Sequence, residues 1–392
     1  MEILISGAGI AGSTLAWWLV RGGHRVVLVE TAPTLRTGGY IIDFWGKGYD
    51  LAERMGLKAQ VEQAGYHVRE VRFVDETGHL AGGFGTDVFG RMTGGRFVSL
   101  PRGELARLLF EAVRNDVETR FGDSITGLTQ DAGGVEVTFE HAAPRRFDMV
   151  VGAEGIHSVT RELAFGPEER FERFLGYGFA AFILDGYPRR DPDVYVMYGE
   201  PGRQAARFTQ RDGSSLVLLI WRDADKTALP HEPAAERALL RARYAGAGWE
   251  VPAMLAALDQ ARDLYLDRVS QIRLDRWHEG RIGLVGDAAF APSFLAGQGS
   301  ALAMIGAYVL AGELASSGGD VRAALAAYSD RLMTFMRGKQ DAAMGMAAMF
   351  VPATRLGLFV RRIGAKFLRI PWLADRLIGR GIRDPIDLPD YS

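Results

Sequence analysis

The sequence predicts an α/β fold: a strand–turn–helix–strand domain split by an inserted antiparallel sheet and followed by C-terminal helices. Three observations carry that reading. Residues 2–30 run as strand, glycine turn, helix and strand. From about 170 to 275, β-like runs succeed one another with turn signals between them. Residues 281–317 then return to strand, glycine-rich turn and helix.

Taken in order, Ile3-Leu4-Ile5 is a short apolar run, and Leu15, Trp17, Trp18, Leu19 and Val20 crowd a helix that Gly22-Gly23 ends. Arg25 to Val29 is the next buried strand. Residues 102–115 read as a helix, followed by a strand near Val117–Phe121. Residues 124–131 and 134–140 alternate around Gly133-Gly134 as a hairpin, and Asp148-Met-Val-Val151 is another buried strand. In the inserted part the runs are Gly178–Leu184, Val194–Tyr198, Ala206–Gln210 and Leu216–Trp221, with Asp212-Gly213 joining the last two and a helix over Ala234–Tyr244. From 320 onward the pattern is helical.

Bulk properties bound the function. The 392 residues are 48% hydrophobic and 24% charged, enough for a large core in two closely packed domains. The balance of 46 basic against 48 acidic residues gives no basic excess of the kind nucleic-acid binding uses, so no nucleic-acid partner is expected. The chain has no cysteine, which excludes disulfides, thiolate catalysis, Cys-ligated zinc and iron–sulfur clusters. The seven histidines form no HxxxH or HExxH pair, so no metal site is expected, and there is no Gly-x-Ser-x-Gly elbow. Met1-Glu2 leads directly into a strand, without a basic n-region, and Gly7 to Val20 is too short and glycine-broken to span a bilayer. The expectation is a cytoplasmic protein without a membrane span, monomeric or homodimeric.

Gly7-Ala8-Gly9-Ile10-Ala11-Gly12 follows a strand and opens a helix. Such glycines let the backbone turn tightly, approach a pyrophosphate and pack helix on strand, while the helix amides face the phosphates. Glu30, at the end of the second strand, suits the ribose hydroxyls of adenosine and disfavours a 2′-phosphate. A glycine turn of pure packing origin is the alternative. The second signal is Gly280-Arg-Ile-Gly-Leu-Val-Gly286-Asp287-Ala-Ala, followed by Pro292, Gly297-Gln298-Gly299 and a long apolar helix. Asp287 can accept bonds from a ribityl hydroxyl, and the amides of the next helix can face the electron-rich edge of an isoalloxazine. An Asp that only caps a helix is the alternative here.

With these residues on the page, the chain resembles the flavoprotein aromatic-hydroxylase family, which includes para-hydroxybenzoate hydroxylase and the tetracycline-modifying monooxygenases. Gly7–Gly12 with Glu30 resembles the family's FAD-ADP site. Asp148-Met-Val-Val-Gly152-Ala-Glu154-Gly155-Ile-His-Ser158-Val-Thr-Arg161 resembles its central motif, linked to both FAD and NAD(P)H. Gly286-Asp287 with Gly297-Gln298-Gly299 resembles its flavin-ribityl site. Ser99-Leu-Pro-Arg102 resembles its FAD-contacting arginine, and Gly38-Gly39-Tyr-Ile-Ile-Asp43 the flavin-edge loop of the tetracycline-modifying branch. The match covers roughly residues 1–320. It implies a Rossmann-like FAD-binding domain over 1–170 and 276–320, a substrate-binding antiparallel sheet over 171–275 and C-terminal helices over 321–392. It implies cofactor contacts from Gly7, Gly9, Ile10, Ala11, Gly12, Glu30, Arg36, Gly39, Asp43, Arg102, Glu154, Gly155, Arg161, Gly286, Asp287, Gly297, Gln298 and Gly299.

Three departures stand out. Glu154 replaces the usual Asp of the central motif, Phe290 stands where the family often has His, and Ser300-Ala301 stands where an Asn commonly follows Gly-x-Gly. Phe290 either shields the flavin ring from water or packs behind the turn. Arg161 either meets NAD(P)H at the surface with neighbouring arginines or forms a structural ion pair.

The resemblance implies non-covalent FAD, NAD(P)H as a transient co-substrate and molecular oxygen, acting through a flavin C4a-hydroperoxide on an aromatic or polyketide-like small molecule. Phe179, Phe182, Tyr195, Met197, Tyr198, Phe208 and Trp221 suit a large flat substrate and are equally ordinary sheet core. No residue is assigned as a catalytic base. Two alternatives stay open: a flavin dehydrogenase or reductase without oxygen insertion, and a flavin-bound sequestering protein. At the C-terminus Leu356, Phe359, Val360, Ile363 and Phe367 share a helical face among Arg361, Arg362, Lys366 and Arg369. The expectation is a helix packed on the domains with its arginines in solvent; membrane or partner binding is the alternative.

Overall fold

Strands with apolar residues at every position need cover on both faces, and the nucleotide sheet shows this. Ile3, Leu4 and Ile5 are fully buried, as are Val26 to Val29 beside them. The computed structural model, which describes residues 1–35, 38–226, 228–368 and 386–391, places Glu2–Ser6 parallel to Arg25–Glu30 on one side and to Met149–Gly152 on the other. The six-stranded sheet runs His278–Glu279, Ile282–Leu284, Met149–Gly152, Glu2–Ser6, Arg25–Glu30, Glu118–Phe121, with His278–Glu279 the antiparallel member. Helix Ile10–Arg21 covers one face together with the long apolar helix Gly299–Ser316. That second helix is the single one among the described residues long and apolar enough to cross a membrane, and the core buries it. On the other face lies an antiparallel three-stranded sheet of Ile125–Gln130, Val135–Phe139 and Arg145–Phe147, including the expected hairpin.

The second sheet has seven strands in the order Arg262–Ile272, Glu172–Leu184, Ser215–Arg222, Arg203–Thr209, Val194–Glu200, Glu70–Val74, Leu80–Gly85. The antiparallel sheet expected over 171–275 is present and is larger than expected. Residues 70–85, read with the first part of the nucleotide-binding domain, supply two further strands, and Glu70–Val74 joins Val194–Glu200 in parallel. Side chains alternate across this sheet with period two. Ala180, Phe182, Val217, Leu219 and Trp221 pack outward against Leu240, Tyr244, Val251 and Met254 of two short helices. Phe179, Ala181, Met197, Ala206, Leu218 and Ile220 face the nucleotide-binding part, where Phe294, Leu295 and Tyr40 meet them.

The chain closes with helices Val321–Phe350 and Arg355–Phe367, and residues 386–391 return to the first core, where Tyr391 packs against Tyr308 at 5.4 Å. The orientation expected of the last helix is corrected. Leu356, Phe359, Val360, Ile363 and Phe367 are exposed, with Leu356 at 70%. Leu358 and Ala365 form the buried side. Arg361 turns inward with them, donating to Gln204 Oε1 and to the Phe350 carbonyl (2.7 Å) and lying 4.7 Å over the Phe73 ring. Positions 358, 361 and 365 share a helical face as well as the apolar set does, and a guanidinium given two neutral acceptors and a ring can occupy it. Arg369 lies outside the described residues.

Candidate functional site

Three glycine turns converge at the carboxyl ends of the parallel strands, the place where open α/β sheets bind ligands. A Cβ on Gly7 would stand 2.6 Å from the carbonyl oxygen of Ala153, beside Glu154, so the first motif lies against the central one. A Cβ on Gly286 would stand 2.8 Å from the Cβ of Ala11, so the first motif also lies against the third. Gly12 is glycine for packing, since its Cβ would meet the Gly7 carbonyl oxygen at 1.9 Å. Gly9 differs: nothing lies within 4 Å of the place its Cβ would occupy, and the same holds at Gly155 and Gly297. These three backbones border open space, as the approach of a ligand requires. Ile10 and Ala11 start the helix whose first amides open on that space.

Glu30 is fixed beside the turn. Its carboxylate accepts from the amides of Ala8 and Ala32, each at 3.0 Å, and each oxygen keeps a second lone pair for a ribose hydroxyl. Asp287 starts a short helix directly after Gly286, whose φ of 66° suits glycine, and its Oδ1 is 3.7 Å from the place of a Cβ on Gly299. The two halves of the third motif therefore face each other. Gln298 accepts a hydrogen bond from Lys339 Nζ at 2.8 Å. Burial pushes the Asp287 carboxyl above the usual range, and the Arg102 charge partly offsets this. Gly39 passes 3.6 Å, measured from its would-be Cβ, from the Cβ of Arg102, and the Arg102 amide donates to the Tyr40 carbonyl at 3.0 Å. Glu154 turns its longer side chain onto the start of the following helix, Val159–Phe165, accepting from Ser158 Oγ at 2.6 Å and from the amide and hydroxyl of Thr160. Arg36 lies outside the described residues.

Two alternatives left open by the sequence are decided here. Arg161 is fully buried. Its guanidinium binds Glu168 (2.6 Å) and the carbonyls of Ile156 (2.6 Å) and Ala288 (3.2 Å), so the structural ion pair is realised and a surface contact with NAD(P)H is not. Phe290 packs behind the turn: it is 2% exposed, lies 4.8 Å from the Trp277 ring and is the atom set a side chain on Gly306 would strike.

Between the cradle and the second sheet lies a hollow. Tyr40, Asp43, Tyr195, Tyr265 and Asp287 are enclosed by protein yet keep water-accessible surface. Phe294 stacks on Phe179 at 4.4 Å and meets Tyr40 edge-on at 4.5 Å. Asp43 accepts from Ser99 Oγ at 2.5 Å, and burial raises its carboxyl while that bond offsets part of the rise. Tyr40 is pushed up to about 12 by burial, so it is a neutral donor at ordinary pH. Of the seven residues read from the sequence as suiting a flat substrate, Phe179, Tyr195 and Met197 face this side, Phe182, Tyr198 and Trp221 face the outer helices, and Phe208 packs with Tyr66 and Ile183. Tyr40, Phe294, Tyr265 and Asp267 were not singled out; period-two counting along residues 262–272 would have placed Tyr265 and Asp267 on one face with Val269.

The cradle and its carboxylates fit FAD, and fold and site together define an FAD-dependent enzyme of the monooxygenase class. The sequence model of the family described as FAD binding domain matches residues 1–338, and the chain belongs to that family. A flavin-dependent monooxygenase from an unknown prokaryotic organism is 31% identical over 357 residues, covering 89% of this chain and 90% of that protein. An uncharacterized protein of Mycobacterium tuberculosis is 38% identical over 342 residues, covering 86% and 91%. Among solved structures, tetracycline destructase Tet(51) superposes with a TM-score of 0.85 at 27% identity, covering 100% of this chain and 99% of that one.

Proposed function

We propose that this chain holds FAD non-covalently, takes electrons from NADH or NADPH, and inserts one atom of molecular oxygen into an aromatic or polyketide-like small molecule. The observation that carries the reading is the hollow, bounded on one side by Asp287, Gly297 and Arg102 and on the other by Phe179, Tyr195 and Tyr265 of the second sheet. Bound FAD supplies the redox and oxygen-activating chemistry there. The chain supplies position and dryness. Gly9 and Gly155 admit the dinucleotide, Glu30 holds its adenosine ribose, and Asp287 holds its ribityl chain. Phe179, Phe294 and Tyr40 present flat faces and edges to a planar substrate and keep bulk water from the reacting ring. Asp43 and Tyr40 offer an acceptor and a donor. Relatives named flavin-dependent monooxygenase and the Tet(51) likeness support the same reading.

The test is isotopic. The FAD-loaded protein is incubated with NADH or NADPH, a panel of phenolic and polyketide compounds and ¹⁸O₂, and products are weighed by mass spectrometry. One heavy oxygen atom in a product is expected. A product formed without label, or formed equally under anaerobic conditions with an artificial acceptor, contradicts oxygen insertion.

A further inference from the structure

Helix Arg355–Phe367 packs on the second sheet with its apolar stripe turned outward. Of the large hydrophobic side chains exposed among the described residues, Leu80, Leu163 and Tyr265 lie elsewhere, and Leu356, Phe359, Val360, Ile363 and Phe367 all lie on this helix. Phe359 and Val360, in the middle of the stripe, are 58% and 59% exposed. Half a turn about the helix axis would bury the stripe, and Arg361 holds the helix against it. That guanidinium is buried on the opposite face, with Gln204 Oε1, the Phe350 carbonyl and the Phe73 ring as its partners and no carboxylate among the described residues. Burial lowers it to about 10. A buried cation without a counter-charge is unfavourable in itself, so the outward stripe is set by a specific contact and is not a by-product of loose packing. Contiguous apolar side chains held outward in this way mark a surface that meets a partner.

Charge distinguishes the partner. No acidic residue occurs between Asp341 and Asp375, a span that holds Arg355, Arg361, Arg362, Lys366 and Arg369, although acidic residues outnumber basic ones in the chain as a whole. At about 100° per residue, positions 355, 362 and 366 fall together along one edge of the stripe, and Gly357 and Gly364 along the other. A protein partner would call for hydrogen-bonding side chains among the apolar ones, and positions 356, 359, 360, 363 and 367 supply none. An apolar stripe edged by cations and free of carboxylates fits the headgroup boundary of a bilayer that contains anionic lipid. The thirteen residues reach about 20 Å, so the helix lies on such a bilayer and does not cross it.

We propose that helix Arg355–Phe367 docks the protein on an anionic membrane surface, with Leu356, Phe359, Val360, Ile363 and Phe367 at the acyl boundary and the edge carrying Arg355 and Arg362 at the lipid phosphates. The helix sits along the edge strand Leu80–Gly85, where a Cβ on Gly82 would stand 3.4 Å from the Arg362 carbonyl oxygen. Its buried Ala365 belongs to the same apolar cluster as Phe179, Met197 and Leu295. Docking therefore holds the wall of the hollow beside the layer in which apolar small molecules concentrate.

The test is sedimentation of the FAD-loaded full chain with vesicles of phosphatidylcholine alone and with part of that lipid replaced by phosphatidylglycerol. Wild type should bind the anionic vesicles at least about tenfold more tightly than the neutral ones, and added salt should weaken that binding. The double variant Phe359→Ser/Val360→Ser should lose about tenfold or more in binding to anionic vesicles. Its FAD content and melting temperature should stay those of the wild type, because both side chains are exposed. Arg355→Glu/Arg362→Glu should erase the preference for anionic lipid. Wild-type protein that stays in the supernatant with anionic vesicles overturns the proposal. Equal vesicle binding by wild type and Phe359→Ser/Val360→Ser also overturns it, because the protein then adsorbs through another surface. A wild type that runs as a dimer without lipid, and as a monomer after Phe359→Ser/Val360→Ser, gives the stripe to a second copy of the chain and overturns it as well.

Discussion

The ring of Phe294, on the loop after the Gly286-Asp287 turn, lies flat on the ring of Phe179 from the second sheet, 4.4 Å apart and 4° from parallel. This stack joins the loop of the third glycine motif to the second sheet, so the wall of the hollow and the seam between the two parts are the same contact. The loop reaches it through Ser293, a non-glycine residue held at φ 98°. Backbone strain of that kind persists where the surroundings over-determine it.

Phe290 and Phe294 are therefore expected to behave oppositely. Phe290→Ala removes a fully packed ring and should cost about 3–5 kcal/mol of stability, with the yield of product per NAD(P)H unchanged in the folded fraction. Phe294→Ala removes a half-buried ring at the hollow. It should cost less in melting temperature and release more hydrogen peroxide per NAD(P)H oxidised, because water reaches the reacting ring. Thermal melts and peroxide yield on both variants check this; uncoupling in Phe290→Ala alone would reverse the assignment.

The glycine turn gives a second contrast. Gly12→Ala has no room for its methyl and should destabilise the apoprotein. Gly9→Ala places its methyl in open space at an ordinary φ of -74°, so the apoprotein should melt as the wild type does while FAD binding weakens by about tenfold or more. Calorimetric titration of FAD into both apoproteins decides it. Equal FAD affinity in Gly9→Ala and wild type would mean the cradle is elsewhere.

These glycines, Glu30 and Asp287 were legible in the sequence because their signals are local: a strand, a spacing and a helix start within thirty residues. What was not legible depends on distant contacts. Strands Glu70–Val74 and Leu80–Gly85 join a sheet whose other members begin a hundred residues later, and Gly82-Gly83 weakens their strand pattern. The apolar stripe of Arg355–Phe367 named a face correctly but not which way it turns, since Arg361 found buried neutral acceptors that the sequence does not reveal. Arg161 likewise left a surface contact and an ion pair open, and the choice turned on Glu168, seven residues on, folding back to meet it.

Asp287 should trade stability against function. Its folded-state carboxyl is raised by burial, so the apoprotein loses stability as pH rises through that raised value. Asp287→Asn removes the buried charge. The apo variant should melt higher than the wild-type apoprotein above neutral pH and at the same temperature in acid, while its FAD affinity falls about ten- to a hundredfold through loss of a charge-assisted hydrogen bond. Melting curves from pH 5 to 8 with and without FAD give both numbers. A variant that binds FAD as tightly as wild type would remove Asp287 from the ribityl site.

His157 sets a pH window for the junction of the central motif with the second sheet. Its folded-state value of about 10 exceeds the ordinary 6.5, so its stabilisation is complete below about 6.5 and is lost as pH climbs through 10. Asp267 is lowered, chiefly by its hydrogen bonds from His157 and Tyr265 acting against burial, so its share is present above the ordinary carboxylate range and lost in acid. The melting-temperature gap between wild type and His157→Gln should be widest near pH 6 and close toward pH 10. A gap that stays constant across that range would show that the imidazolium charge is not what matters.

The most direct measurement on the whole account is the flavin content of the purified protein. Acid precipitation should release FAD into the supernatant at close to one per chain, and the stripped protein should take it up again with recovery of its yellow colour. A colourless protein that stays free of flavin after incubation with FAD would contradict the account at its root.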